Sequence, residues 1–144
     1  MRTFTRPAAV ASAALLLVGL SGCSESVFDL EVGDCMNSPD VADEELSSVS
    51  TVPCDEPHDA EAYAAMMFED GDFPGLQGVV SASEAYCLDE FETFIGLPYD
   101  ASELGVTSIY PTQDSWDRLD DREVLCLVID EQGDVTGSLE GAQR

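Results

Sequence analysis

Five cysteines, at positions 23, 35, 54, 87 and 126, constrain this chain more than any other feature, because the compartment they reach decides what they become. The first of them closes an N-terminal segment unlike the rest. Arg2 and Arg6 precede an almost wholly apolar run from Ala8 to Leu20, and no acidic residue stands before Glu25. A basic start followed by such a run marks an export signal. The run is shorter than the ~20 apolar residues that a spanning helix needs. Residues 1–22 are therefore expected to be a cleaved signal peptide.

The ending Leu20-Ser21-Gly22-Cys23 resembles the lipobox of bacterial lipoproteins, in which the cysteine thiol receives a diacylglyceryl group before cleavage on its N-terminal side. This implies lipidation at Cys23 and a chain held on the extracytoplasmic side of the cell membrane, since two acyl chains anchor stably where one does not. Lipidation also leaves an even cysteine set. Cys35, Cys54, Cys87 and Cys126 then stand in an oxidising compartment, where disulfides form and persist. Four cysteines allow three connectivities. We expect Cys35 with Cys54, closing a local loop, and Cys87 with Cys126, joining helix to sheet, each contributing ~2–4 kcal/mol. A four-thiolate zinc site is the rival, but no C-x-x-C pair is present.

Once the signal is removed, all 30 acidic residues remain against three arginines, with no lysine anywhere. This balance argues against nucleic acid and against adhesion to anionic headgroups. It leaves the lipid as the membrane contact and divalent cations as nonspecific partners. Glu69-Asp70-Gly71-Asp72 and the stretch from Asp117 to Asp121 offer hard oxygen ligands, but neither has the spacing of an EF-hand loop, so no metal site is assigned. No cofactor motif is found.

Residues 23–27 read as a lipidated tether, 28–140 as one domain and 141–144 as a frayed tail. Within the domain, Val27 to Val32 reads as extended, and Asn37 to Ser50 as an acidic loop. The alanine-rich stretch from His58 to Phe68 favours helix by propensity, but Pro57 disfavours a helical residue before it. The clearest helix runs from Ser81 to Ile95, with Ser81 and Glu84 as a capping box and Gly96 and Pro98 as the stop. Val106 to Tyr110 and Val124 to Ile129 read as strands, Gln113 to Asp121 as a polar turn, and Val135 to Leu139 as a last hairpin strand. The fold class is α+β: a small antiparallel sheet with one main helix packed on it, stabilised by two disulfides.

Val32-Gly33-Asp34-Cys35, the run from Val52 to Glu61 with its Cys-x-x-Pro-His-x-x-Glu core, Cys87, Pro111, Trp116, Asp121-Arg122 and Cys126 together resemble the septum-formation domain of actinobacterial membrane and lipid-anchored proteins. The resemblance implies an extracytoplasmic α+β domain linked to division or envelope maintenance, with envelope or division proteins as candidate partners and no catalytic mechanism. It also places an extended segment after His58. Asp120 stands where the family usually has a glycine.

His58, the one histidine, could serve as a base with Asp55, Asp59 or Glu61 orienting it. Alternatively its ring bonds a carboxylate or carbonyl and fixes the turn after Cys54. Trp116 and Arg122 divide in the same way between packing and recognition. No G-x-S-x-G, H-E-x-x-H or phosphate-binding loop accompanies them. The reading favoured is a non-catalytic binding or scaffold domain with His58, Trp116 and Arg122 as binding candidates and no catalytic residue. A small envelope-acting hydrolase or a calcium-binding module is the alternative.

Overall fold

A computed structural model describes residues 24–38 and 48–144. The signal peptide, Cys23 and the middle of the acidic loop lie outside the described residues. Among the described residues, six antiparallel strands form one sheet: β1 (Ser24–Ser26), β2 (Cys35–Met36), β3 (Ser48–Val52), β4 (Ala60–Met67), β5 (Gly105–Ile109) and β6 (Glu123–Ile129). Their order is β1-β3-β2-β4-β6-β5. Helix α1 (Leu76–Ile95) packs against β4, β5 and β6, and a short α2 (Gln113–Leu119) leads into β6. Among the described residues, no helix is long and apolar enough to cross a membrane.

The α+β class holds, and so do both disulfides: Cys35–Cys54 and Cys87–Cys126, with Cα atoms 5.3 and 5.4 Å apart. The second ties α1 to β6, the helix-to-sheet link expected from the elements the two cysteines lie on. On α1, Val79, Ser83, Cys87, Phe91 and Ile95 recur every fourth residue and are buried. Such a stripe lies along one helical face. Gly96 ends the helix with φ 82°, its N–H donating to the Glu92 carbonyl.

Alanine-rich β4 is a strand because it is covered on both faces, where small side chains fit between two cores. Ala60 and Ala62 pack with Leu30, Met36, Val49, Leu125 and Leu127, whereas Tyr63 and Ala64 pack with Cys87, Phe91, Val124, Cys126 and Val128. A register shift between Ala62 and Ala64 inserts the extra residue that turns Ala64 to the helix side beside Tyr63. There its ring meets Phe91 edge-on at 6.2 Å, and its hydroxyl donates to the Cys87 carbonyl.

Burial pushes the Tyr63 phenol far above its ordinary value, with the Glu90 carboxylate adding to the effect. A raised folded-state value stabilises the native chain below the unfolded value, near pH 10, and that stability is lost as pH rises beyond it. Urea midpoints at pH 8 and pH 10.5 are therefore expected to fall more for the wild type than for Tyr63→Phe. Equal falls would show that Tyr63 does not drive the alkaline transition.

Several local expectations are corrected. Helix α1 starts at Leu76 rather than Ser81, with Gly75 as N-cap and no side-chain cap, so the Ser81–Glu84 capping box does not form. The preceding Pro74-Gly75 supplies the break, and buried Val79 adds a further turn to the apolar stripe. Gln113 to Leu119 is a helix rather than a polar turn: Thr112 and Ser115 cap it reciprocally, and buried Trp116 holds it down. Ser24–Ser26 is not a free tether but pairs with Ser48–Ser50, which also takes those three residues out of the acidic loop. Val27–Asp29 is a 3-10 turn, with the Ser26 hydroxyl accepting from Phe28 N–H, not an extended stretch.

The last hairpin strand does not form either. Only Val135 bridges, to His58, and beyond it Gly137 at φ 89° turns the chain away. The tail is docked rather than frayed. Gly141 and Gln143 donate to the Phe94 and Ile95 carbonyls at the C-terminal end of α1, and Arg144 pairs with Glu103 and buried Asp130. Free carbonyls at a helix end need such donors.

Candidate functional site

The binding candidates do not converge on one place. His58 lies two residues before β4, whereas Phe68, the residue after β4, donates its N–H to the Arg122 carbonyl. The eight residues of β4 span about 26 Å at ordinary strand rise, so His58 is at the opposite end of the strand from Trp116 and Arg122.

His58 is fully buried. Its Nδ1 lies 2.8 Å from the Glu56 carbonyl, which can only accept, so Nδ1 carries the proton. Backbone bonds in both directions tie His58 to Val135. The ring thus fixes the turn that follows Cys54. Its Nε2 has no hydrogen-bond partner among the described residues. Cys35, His58 and Glu61 offer ligand atoms within 4.8 Å of one another, the one such set of three among the described residues. These groups are already engaged: the Cys35 sulfur is in a disulfide, and the Glu61 oxygens accept from the Ser138 hydroxyl and the Leu139 N–H. A sulfur bound in a disulfide is not the thiolate that ligates metal.

Trp116 and Arg122 do come together, at the mouth between α2 and β6. The Arg122 guanidinium carbon stands 3.9 Å from the Trp116 ring centroid. Stacking of this kind is worth about 0.5–2 kcal/mol depending on burial. One guanidinium nitrogen donates to the Trp116 and Asp121 carbonyls, and the other pairs with Asp120 at 2.9 Å. Asp120, with φ 57°, takes the left-handed conformation that a glycine adopts freely and caps α2. Asparagine and aspartate tolerate that conformation better than other side chains do. Aspartate here keeps the left-handed turn and adds a carboxylate to it.

The partners of Trp116 were not legible in the sequence. Phe68 and Phe73 pack on the indole at centroid distances of 5.7 and 5.5 Å, and the indole N–H donates to the Gly71 carbonyl at 2.9 Å. The acidic stretch Glu69 to Asp72, considered above as a calcium loop, is thus a turn whose backbone receives Trp116. The aromatics flanking that stretch were the available signal. A cleft of about 420 Å³ opens here, lined by Asp72, Phe73, Trp116, Asp117, Asp120 and Arg122 among others. Burial, with the Asp121 carboxylate beside it, pushes neighbouring Glu123 above the usual carboxylate range.

An aromatic floor holding one stacked cation under three aspartates suits a ligand that brings positive charge and hydrogen-bond donors. The buried ring of His58 is remote from the cleft.

Comparison with known proteins agrees with this framework. The model of the Septum formation family matches residues 32–143, a span containing both disulfides, the His58 turn, Trp116 and Arg122. No curated protein and no solved structure shows significant similarity to the chain. The family match covers most of the chain, and the chain belongs to the septum-formation family.

Proposed function

We propose that the protein is a lipid-anchored, extracytoplasmic binding or scaffold module that serves septum formation or envelope maintenance, recognising its partner at the Trp116–Arg122 cleft. The observation that carries this reading is the cleft itself. A guanidinium stacked on an indole is surrounded by Asp72, Asp117 and Asp120, on a family scaffold whose one histidine is sequestered. Binding rather than catalysis is favoured because an imidazole with no solvent access cannot act as base on a substrate. Membership of the septum-formation family supports the process. The Leu20 to Cys23 motif after the apolar run supports the anchor.

In the test, cells carry one version of the gene: wild type, Cys23→Ala, or the doubly substituted Asp117→Asn/Asp120→Asn. Both aspartates are exposed and the changes keep side-chain shape, so folding is preserved. Cys23→Ala is expected to move the protein from membrane to soluble fractions, and both variants to disturb septum spacing. Wild-type septation with the double variant would remove the cleft from the function. Retention of Cys23→Ala on membranes after alkaline washing would remove the lipid anchor.

A further inference from the structure

The β5 edge is open and unguarded. Strand β5 ends the sheet order and pairs with β6 alone. Among the described residues, no other backbone hydrogen bond reaches positions 105–109. In an antiparallel ladder every second residue points its N–H and C=O away from its partner, so the outer row of β5 is unpaired. Natural edges are commonly blunted by charges, proline, bulges or brevity. Gly105-Val-Thr-Ser-Ile109 has no charge and no proline, its register is regular over five residues, and the opposite edge, β1, is only three residues long.

Beside this edge runs a groove of about 330 Å³ between α1 and β5. Val80, Leu88, Tyr99, Val106 and Tyr110 line it, with exposed Glu84 among them. Leu88 and Tyr99 are 42% and 41% exposed, high for large apolar residues that face a groove. An unpaired strand edge next to a helix is the arrangement in which an extended peptide adds as a further strand. Its backbone then gives affinity, and its alternate side chains drop into the groove.

We propose that the β5 edge and the α1 groove form a docking site for an extended, basic segment of a partner protein, one that alternates apolar and cationic residues. The apolar side chains pack between α1 and β5 on Leu88, Val106 and Tyr110. The cationic ones, turned by strand alternation to the other face, meet the acidic surface around the sheet. Charge chooses the occupant: the exported chain carries 30 acidic residues against three arginines, so a basic strand is attracted. A second copy of this chain would be repelled. The proposal rests on the reading of the domain as a binding module but not on the Trp116–Arg122 cleft, so neither test decides the other.

The experiment measures anisotropy of a fluorescein-labelled hexapeptide of alternating lysine and valine on addition of the purified disulfide-bonded protein. Its controls are the same peptide N-methylated at alternate amides, in both phases, and the Leu88→Arg variant, checked for an unchanged thermal midpoint. Saturable binding is expected, weakened about tenfold or more by N-methylation in one phase and by Leu88→Arg. Equal binding of parent and both N-methylated peptides would overturn the proposal by showing attraction through charge alone. So would an unaltered affinity in Leu88→Arg, or no binding at about 1 mM peptide. A dimer in sedimentation that Leu88→Arg dissolves would give the edge to a second copy instead.

Discussion

Replacing Cys87 and Cys126 together by alanine is expected to remove roughly 4 kcal/mol of stability, close to the whole reserve of a small domain. The sulfurs bridge a sequence separation of 39 residues. The entropy removed from the unfolded chain by closing such a loop accounts for most of that figure. Both side chains are fully buried, between α1 and the sheet, so their loss also leaves space beside Phe91 and Val124. The Cys35–Cys54 bridge closes 19 residues, worth roughly 3 kcal/mol by the same reasoning. Its Cys54 end is only half-buried. The measurement is a urea titration of both double variants. The Cys87→Ala/Cys126→Ala protein should unfold at the lower midpoint or be unfolded without denaturant. A midpoint above that of the Cys35→Ala/Cys54→Ala protein would mean that the core closes over the missing sulfurs.

This ranking shows which parts of the fold were legible. The cysteine count, the stripe along α1 and the apolar run of β6 are dictated by covalent chemistry and by local pattern, and these survive into the structure. Features set by distant contacts did not show. Nothing local says that Ser138 and Leu139 will bond Glu61, so Val135 to Leu139 looked like a strand when only Val135 bridges. Gln113 to Leu119 is polar throughout except for Trp116 and Leu119. Its helical state depends on an indole buried against Phe68 and Phe73, more than forty positions away in sequence. The start of α1 was misplaced because a capping-box pattern at Ser81 outweighed Pro74-Gly75, although the apolar stripe continued upstream to Val79. At the site, Trp116 and Arg122 stood out by residue type, but neither their stacking nor the cleft did. It is assembled from the turn after β4, α2 and the start of β6, and no single segment carries its pattern.

Glu61→Ala is expected to detach the C-terminal segment while the sheet and α1 remain folded. Glu61 is buried on the helix side of β4, yet its carboxylate reaches a segment 77 and 78 residues further on, accepting from the Ser138 hydroxyl at 2.7 Å and the Leu139 N–H at 2.6 Å. Alanine removes both acceptors and leaves a buried backbone N–H without a partner, a loss of about 3 kcal/mol when hydrogen bonds to a charged group are counted with the orphaned donor. Leu139 is buried with Phe91 and Ile95, and beyond it Gly141 and Gln143 satisfy the end of α1. Loosening at Leu139 should therefore spread to Arg144. In hydrogen exchange, the amides of Leu139, Gly141 and Gln143 should lose protection together, while those of β4 and β6 keep theirs. Glu61→Gln separates charge from geometry. Its carbonyl oxygen can still accept from Leu139 and its amide can donate to the Ser138 oxygen, so it should cost about 1 kcal/mol and leave the segment docked. Equal loss of protection in both variants would mean that the negative charge, rather than the pair of hydrogen bonds, holds the C-terminus in place. Full protection in Glu61→Ala would show that the apolar packing of Leu139 suffices without them.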